Sequence, residues 1–293
     1  MRYLITGANG FIGSHLTRRL VGLGESICAW TGLSGDLSRL REVQDRVEVQ
    51  SLDLCSVVDV TKAIEVVNPG VIFHCAAAGM TDPFLPLDEA IRTNVYGTIN
   101  LVRAVQGRAR VVVLRTAGEL DALNVYAASK AAAWQFCRMY ARTQAWPLVG
   151  AMLFQVYGPG QSTKNVVPAA IEAALAGKDF PMSSGRVRRD WIYIDDVIDA
   201  LLALVQADRF DVESIEIGLG GLLSVRDVVA KIYSMVGRGG RPLLGLLPDR
   251  PGDIDMQHSD VEVTKLILNW EPRVTIDAGL RRTIDSMQAA QSA

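Results

Sequence analysis

The chain has 293 residues, of which 49% are hydrophobic and 21% charged, and its formal net charge is −2. A disordered chain is not expected at this composition, and the length allows a full core with a smaller second lobe. The low charge gives no electrostatic reason to expect binding to nucleic acid or an anionic membrane surface. No apolar run approaches the roughly 20 residues of a membrane span, and no signal peptide is recognisable, so we expect a cytoplasmic protein.

The N-terminal segment has the pattern of a strand, a glycine-rich loop and a helix. Residues 3–6 form a short apolar run typical of a buried strand, and apolar residues recur at helical spacing over 11–23. Between them, Gly7 permits a tight turn, Gly10 lets the backbone approach a pyrophosphate, and Gly13 allows the helix to pack closely on the strand. The phosphates would rest on the helix N-terminus. The predicted dinucleotide contacts are Gly7, Asn9, Gly10, Phe11, Ile12 and Gly13.

Strand and helix signals alternate through the first half of the chain. Strands are predicted at 26–30, 47–52, 71–75, 110–114 and 147–154, and helices at 57–67, 87–105 and 125–144. Strands with helical crossovers form a parallel sheet covered on both faces, with the ligand at the carboxyl ends of the strands. The predicted fold class is therefore α/β, a Rossmann-like doubly wound parallel sheet.

The predicted helix 125–144 carries Tyr126 and Lys130, which are four residues apart and so share one face. By itself this spacing also fits an amphipathic helix with an exposed lysine. Beside a dinucleotide loop, we expect the ammonium to pull the tyrosine pKa from about 10 toward neutrality. The tyrosine could then exchange a proton with a carbinol or carbonyl oxygen while hydride moves at its carbon, which is nicotinamide-dependent oxidoreductase chemistry.

The character of the sequence changes after residue 155. A strand is predicted at 214–218 and helices at 166–176, 225–236, 261–268 and 278–287. We therefore predict a Rossmann domain at 1–155, with 190–222 packing back onto it, and a smaller, mostly helical substrate lobe at 156–293. Asp195 and Asp196 begin a predicted helix, where a cap that complements the helix dipole is favoured over an acid/base role.

Cysteine and histidine are placed without any metal-ligand spacing. We expect the cysteines to be core or near-core thiols in a reducing compartment, and we expect no catalytic metal. The residues concerned are Cys28, Cys55, Cys75, Cys137, His15, His74 and His258.

Several motifs in the same order give the chain, over essentially its whole length, a resemblance to the extended short-chain dehydrogenase/reductase family. It resembles in particular the nucleotide-sugar epimerases, dehydratases and ketoreductases. Besides the glycine loop and the Tyr/Lys pair, the matching positions are Asp53-Leu54, His74-Cys-Ala76-Ala77, Asn94 and Thr116. The resemblance implies that Tyr126, Lys130 and Thr116 are catalytic. It also implies cofactor contacts at Asp53, Leu54, Ala76, Ala77, Asn94 and Lys130.

The same resemblance implies a nucleoside diphosphate-sugar as substrate. Its predicted contacts are Gln155, Val167, Arg189 and Arg250, and an arginine fork suits a diphosphate because it can meet two oxygens at once. Arg186 and Arg188 are expected at the surface. Because helices 87–105 and 125–144 carry apolar residues on more than one face, and the family pairs these helices across a two-fold axis, we expect a homodimer.

Three departures from the family pattern bear on the reaction. The acidic residue that usually ends strand two is replaced by Thr31, which favours NADP over NAD, and the 2′ position could otherwise be read by Ser34 or Arg39. The Asp-Glu pair of a dehydratase is replaced by Ala117 and Gly118, and Tyr126 follows Thr116 after only 10 positions. We predict a ketoreductase acting on a 4-keto (deoxy)hexose nucleotide. The alternatives are a 4-epimerase with tightly bound NAD and a non-enzymatic dinucleotide sensor.

Overall fold

The structure is a computed structural model that describes residues 1–33, 35–80, 84–122, 124–207, 210, 213–250, 252 and 255–292. Strands in chain order are β1 Arg2–Thr6, β2 Ser26–Thr31, β3 Glu48–Ser51, β4 Val71–His74, β5 Arg110–Thr116, β6 Leu148–Leu153, β7 Gln155–Tyr157, β8 Phe180–Pro181, β9 Arg188–Tyr193, β10 Ser214–Ile217, β11 Leu222–Ser224, β12 Pro242–Leu243 and β13 Met256–Gln257. Helices in chain order are α1 Phe11–Gly22, α2 Val57–Val67, α3 Leu87–Ala90, α4 Gly97–Val105, α5 Val125–Gln144, α6 Val166–Leu175, α7 Ile194–Gln206, α8 Val225–Val236, α9 Val261–Leu268 and α10 Ile276–Ser292.

The principal sheet has seven strands in the order β10-β6-β5-β4-β1-β2-β3. The pairings from β6 through to β3 are parallel. Strands β4 and β6 are buried along their whole length, as expected when helices cover both faces of a parallel sheet. Leu4, Ile72 and Val111 from neighbouring strands pack with α2, α4 and α5 in one core. The predicted α/β fold with a doubly wound parallel sheet is confirmed.

The chain forms two compact units. The first consists of Met1–Leu153, Ile198–Ile215 and Leu266–Trp270, and it holds most of the parallel sheet. The second consists of Phe154–Val197, Glu216–Lys265 and the segment that begins at Glu271. In the second unit β9 pairs with β7, β11 and β13, and helices α6, α8 and α10 pack together.

Asp196 has a different role from the one its position suggested. It lies in the first turn of α7, as predicted, but it is buried and its two carboxylate oxygens accept the backbone N–H groups of Arg273 and Val274 at 3.0 and 2.9 Å. The carboxylate therefore fastens the segment before α10, and the cap interpretation is wrong for Asp196. Asp195 remains at the helix start and forms an ion pair with Arg282 at 3.7 Å.

The predicted helix 87–105 is interrupted by a π-helical segment, Ile91–Tyr96, between α3 and α4. A π-helical turn widens the helix by one residue and often occurs at functional sites. Here it contains Asn94, whose side chain is buried.

All four cysteines are free thiols, and Cys28 and Cys137 are buried. Burial raises the pKa of Cys137 to about 12 and that of Cys28 to about 11, so both remain protonated. Within the described ranges, no three His, Cys, Asp or Glu side chains come together as metal ligands would. None of the helices in the described part of the chain combines the length and the apolar character that crossing a membrane requires.

Candidate active site

The glycine loop follows β1 and packs tightly against the end of β4. Gly7 has φ +64°, and a Cβ on it would lie 2.8 Å from the backbone of Ala76. A Cβ on Gly13 would overlap the carbonyl oxygen of Gly7, so the helix can approach the loop only without a side chain there. A Cβ on Gly10 would lie 3.1 Å from the Gly7 carbonyl oxygen, which is a tight contact. Gly7 therefore makes the tight turn and Gly13 the close helix packing that the sequence predicted. The approach of Gly10 to a pyrophosphate stays a prediction.

The N-terminus of α1 is available to an anion. Gly10 is its N-cap and offers no side-chain cap, and the first turn has no acidic residue. Free N–H groups and the positive end of the helix dipole form a phosphate site. This fits the predicted pyrophosphate of a dinucleotide.

A cavity of about 520 Å³ lies beside the ends of β2 and β3. Leu33, Leu52, Asp53 and Ala63 are among its lining residues. Asp53 accepts the N–H of Cys55 at 2.9 Å and pairs with Arg92 at 2.9 Å, and these bonds hold its pKa below the usual value. Leu54 lies on the core side and packs against α4. The cavity has the position expected for the adenosine half of a dinucleotide.

Thr31 does not face open space at the end of β2. Its side chain is 3% exposed, and its hydroxyl lies 3.2 Å from the Ser51 hydroxyl. Basic groups stand on α1 and on the segment after β2. Arg39 Nη1 lies 3.5 Å from the Asn9 carbonyl oxygen, and Arg18 donates to the Arg39 carbonyl at 2.6 Å. Ser34, the other predicted candidate for reading the 2′ position, lies outside the described residues.

Asn94 joins the segment after β4 to the catalytic helix. Its Oδ1 accepts the Ala78 N–H at 2.7 Å, and its Nδ2 donates to the Ala78 carbonyl and to the Ser129 hydroxyl. Ser129 in turn donates to the Tyr126 carbonyl at 2.8 Å. Since both hydrogens of the Asn94 amide are used, this residue positions the backbone of α5 and the 76–78 segment.

A second buried chain of hydrogen bonds starts at the end of β1. His74 Nδ1 lies 2.8 Å from the Thr6 hydroxyl and Nε2 lies 2.8 Å from the Thr98 hydroxyl, which donates to the Asn94 carbonyl. Thr6 also accepts the Ala76 N–H at 3.2 Å. Burial, with a smaller effect of Lys130, lowers the pKa of His74 to about 3, so the ring is neutral. The glycine loop, β4 and the catalytic helix are thus linked through neutral groups.

Tyr126 and Lys130 lie on one face of α5, and Lys130 is 4% exposed. The ammonium has no hydrogen-bond partner among the described residues, which fits a site that a ligand hydroxyl would complete. The pKa of Tyr126 is raised, first by burial and then by Glu119, and not lowered as the sequence predicted. Residue spacing shows that the two groups are neighbours, but it does not show how deeply the phenol is removed from water.

Thr116 ends β5 and caps a 3₁₀ turn, Ala117–Leu120. A Cβ on Gly118 would lie 3.7 Å from the Thr116 hydroxyl and 3.5 Å from Ala127 Cβ, which places the threonine beside the first turn of α5. Glu119 Oε1 accepts the Thr116 N–H at 3.0 Å. The prediction did not include Glu119, although Thr-x-x-Glu is a capping-box pattern visible in the sequence.

The predicted substrate residues belong to the second unit. Gln155 opens β7, and Arg189 is buried in β9 with Nη1 donating to the Arg188 carbonyl at 3.0 Å. Val167 is 1% exposed in α6, so its side chain is part of the interior of that unit. Arg186 and Arg188 are exposed, as predicted for these two residues. Arg250 is exposed as well, and its contact with a substrate diphosphate stays a prediction.

Comparison with known proteins identifies the family. Residues 3–218 match the model of the NAD dependent epimerase/dehydratase family. A UDP-glucose 4-epimerase from Mycolicibacterium smegmatis is 30% identical, with 97% of this chain and 98% of that protein covered. A protein named as a probable dTDP-glucose 4,6-dehydratase from Sinorhizobium fredii is 29% identical over 97% of this chain and 92% of its own.

Solved structures share the fold of this chain. A UDP-glucose 4-epimerase from Thermus thermophilus, in complex with NAD, superposes with a TM-score of 0.87 at 25% identity, covering 99% of this chain and all of that one. A dTDP-glucose 4,6-dehydratase from Streptomyces venezuelae gives a TM-score of 0.90 at 24% identity, covering 100% of this chain and 98% of that one. The chain therefore belongs to the NAD-dependent epimerase/dehydratase family of extended short-chain dehydrogenases/reductases.

Proposed function

We propose that this enzyme is an NAD(P)-dependent ketoreductase that reduces the 4-keto group of a (deoxy)hexose nucleotide. The observation that carries the proposal is the placement of Tyr126 and Lys130 on one face of α5, where the partly buried phenol has a raised pKa that keeps it protonated near neutral pH. A protonated phenol is a proton donor, and a donor is what carbonyl reduction requires.

Residues of the first unit have separate roles in this reaction. When bound, the nicotinamide cofactor supplies the hydride. The loop at Gly7 and Gly10 and the N-terminal amides of α1 would hold its pyrophosphate, and Lys130 would donate to its ribose. Tyr126 gives its proton to the substrate oxygen as the alcohol forms, and Thr116 donates a hydrogen bond to the same oxygen. A nearby ammonium stabilises the phenolate left behind.

Dehydration is disfavoured by the turn after Thr116. Ala117 and Gly118 offer no acid or base, and the only acid of that turn, Glu119, is engaged by Arg115 and by the Thr116 N–H. A carboxylate held in this way is not free to transfer protons to a substrate. The 4-epimerase remains the second candidate, favoured by the 30% identity to a UDP-glucose 4-epimerase. A non-enzymatic sensor has less support, because it would not need the Tyr126/Lys130 pair.

The experiment that tests the function starts from purified protein. Any bound dinucleotide is released by denaturation and identified, and the emptied protein is offered UDP- and dTDP-4-keto-6-deoxyhexoses with NADPH or NADH. A ketoreductase is expected to contain little tightly bound cofactor and to consume NADPH stoichiometrically with the keto-sugar. Retained NAD together with interconversion of UDP-glucose and UDP-galactose, without net cofactor turnover, would establish the epimerase instead.

Arg39→Gln tests the cofactor preference. We propose that NADP is preferred, because no carboxylate ends β2 and the Arg39 guanidinium lies 3.5 Å from the Asn9 carbonyl of the glycine loop. Losing an arginine beside a 2′-phosphate should weaken NADPH by about 10- to 100-fold and leave NADH nearly unchanged. Fluorescence quenching titrations of both cofactors measure this. Equal weakening of both would assign Arg39 to the loop rather than to the phosphate, and wild-type preference for NADH would rank the epimerase first.

We also propose a homodimer that pairs the π-helical segment, α4 and α5 of two chains. Tyr96, Phe136 and Met139 are exposed apolar side chains on these elements. An exposed apolar surface of this kind is typical of an interface. Light scattering at micromolar concentration should give twice the mass of 31.8 kDa. A monomer at that concentration would contradict the proposal.

A further inference from the structure

Arg115 and Glu119 form a buried ion pair directly behind Thr116. Arg115 Nε and Nη2 lie 2.9 and 2.8 Å from Glu119 Oε2, and the two side chains are 13% and 1% exposed. The other carboxylate oxygen accepts the Thr116 N–H at 3.0 Å. Glu119 thus binds both to the residue before the catalytic threonine and to that threonine's own backbone.

Three further elements surround the Arg115 side chain. It lies over the ring of Trp134 on α5, with Arg115 Cζ 4.9 Å from the ring centroid. Its Nη1 donates to the Ser214 hydroxyl on β10 at 3.1 Å. A Cβ on Gly150 would come within 2.7 Å of Arg115 Cδ, so β6 leaves room for this side chain by carrying a glycine. The pair is therefore a built feature that ties β5, β6, β10 and α5 together.

We propose that Arg115 and Glu119 are positioning residues for the reaction, which hold Thr116 against the first turn of α5 and place two balanced, opposite charges beside Tyr126 and Lys130. This inference rests on the proposed use of Tyr126, Lys130 and Thr116 in proton transfer. Only a short connection joins β5 to α5, and its 3₁₀ turn is closed by the Glu119 carboxylate. The pair therefore supports the catalytic residues from behind, where no substrate atom needs to reach.

The balance of charge matters because both charges of the ion pair act on Lys130. Burial lowers the pKa of Lys130 most, and of the charged groups near it Glu119 raises the pKa whereas Arg115 lowers it. His74, Cys75 and Cys137 also interact with Lys130. For Tyr126, burial and Glu119 raise the pKa. The two cysteines are protonated thiols near neutral pH. The Arg115/Glu119 ion pair thus supplies one positive and one negative charge that act on Lys130.

The test measures the pKa of Lys130 in cofactor-free protein, without any substrate. The chain has six lysines, so ¹⁵N-lysine labelling gives a simple Nζ spectrum in which Lys130→Arg assigns the signal. Glu119→Gln leaves Arg115 unbalanced and should lower the Lys130 pKa by about one pH unit. Arg115→Met leaves Glu119 unbalanced and should raise it by a similar amount. The double variant Arg115→Met/Glu119→Gln should titrate close to wild type.

Arg142→Met is the matched control, because it removes an arginine from an exposed ion pair with Glu213 at the far end of α5. It should leave the Lys130 titration unchanged. Equal Lys130 pKa values in wild type and both single variants would overturn the proposal, whatever reaction the enzyme catalyses. If one single variant does not fold, thermal unfolding of the other variants is measured in place of the Lys130 titration. The double variant should then melt above the remaining single variant, because it buries no unpaired charge, and a double variant that melts below it would contradict a balanced pair.

A substrate assay supplies a second readout once the reaction is known. Glu119→Gln should lower kcat by about 10-fold or more while the Kd of the dinucleotide stays within about twofold, because the pair supports Thr116 and Tyr126 but does not touch the glycine loop. A loss of dinucleotide affinity with unchanged kcat would show a general structural role and contradict positioning. Absence of activity in the wild type would refute the proposed function and leave the Lys130 result standing.

Discussion

Tyr126→Phe is expected to lower turnover by about 100-fold or more while dinucleotide binding stays nearly intact. The change removes one hydroxyl from a partly buried side chain, so the ring still fills its place on α5. The hydroxyl that gives its proton to the substrate oxygen is the only group lost. Steady-state kinetics with the identified substrate, together with a cofactor titration, separates the two effects.

Tyr140→Phe is the matched control for this variant. Tyr140 lies on the same helix, and its ring stacks on Trp146 with centroids 4.6 Å apart, a contact that phenylalanine keeps. Turnover of the control should remain near that of wild type. Near-normal turnover of Tyr126→Phe would remove Tyr126 from the catalytic step.

Gly13→Ala is expected to cost about 100-fold in dinucleotide affinity. Its new Cβ would overlap the Gly7 carbonyl oxygen, and backbone atoms cannot move aside as a flexible side chain can. Either α1 moves away from the loop or the loop shifts at Gly7, and both displace the N–H groups that would meet the pyrophosphate. Calorimetric titration with NADPH and NADH measures the loss.

Gly22→Ala provides the comparison within the same helix. Gly22 is exposed at the end of α1, and its Cβ would meet no atom within 4 Å. This substitution should leave cofactor affinity unchanged and raise stability slightly, by about 0.5 kcal/mol, because alanine favours the helix. Similar affinities for Gly13→Ala and the wild type would mean that close packing of loop and helix is not needed for binding.

Sequence patterns predicted the elements that repeat a simple period. The bounds of α2, α5, α8 and α9 were predicted residue for residue, because apolar spacing and terminal signals coincide there. The π-helical segment around Asn94 was not predicted, since one extra residue per turn leaves no separate hydrophobic signature. The two-residue strands β8, β12 and β13 were missed for a related reason, because their pairing depends on distant partners.

The candidate site was predicted in its residues but not in its electrostatics. The glycine loop and the Tyr126/Lys130 pair were predicted because the spacing of nearby residues can be read directly from the sequence. The pKa of Tyr126 depends on how much water surrounds the phenol and on Glu119, seven positions earlier in the chain. Arg115 was missed because, apart from Glu119, its contacts lie on β10 and α5, and only the folded chain brings these elements together.

His74 makes the architecture of the site sensitive to acid. The hydrogen bonds of Thr6 and Thr98 suit the neutral ring, with Nδ1 accepting and Nε2 donating, and an imidazolium would leave one donor unmatched. The folded chain keeps this ring neutral down to about pH 3, whereas the unfolded chain binds a proton near 6.5. The contribution of His74 to the free energy of unfolding is expected to be complete above about pH 6.5 and to fall by about 1.4 kcal/mol per pH unit from there toward pH 3. Since one ring joins β1, β4 and α4, its protonation releases the cofactor loop and the catalytic helix together, so acid should abolish the site and the fold in one cooperative step.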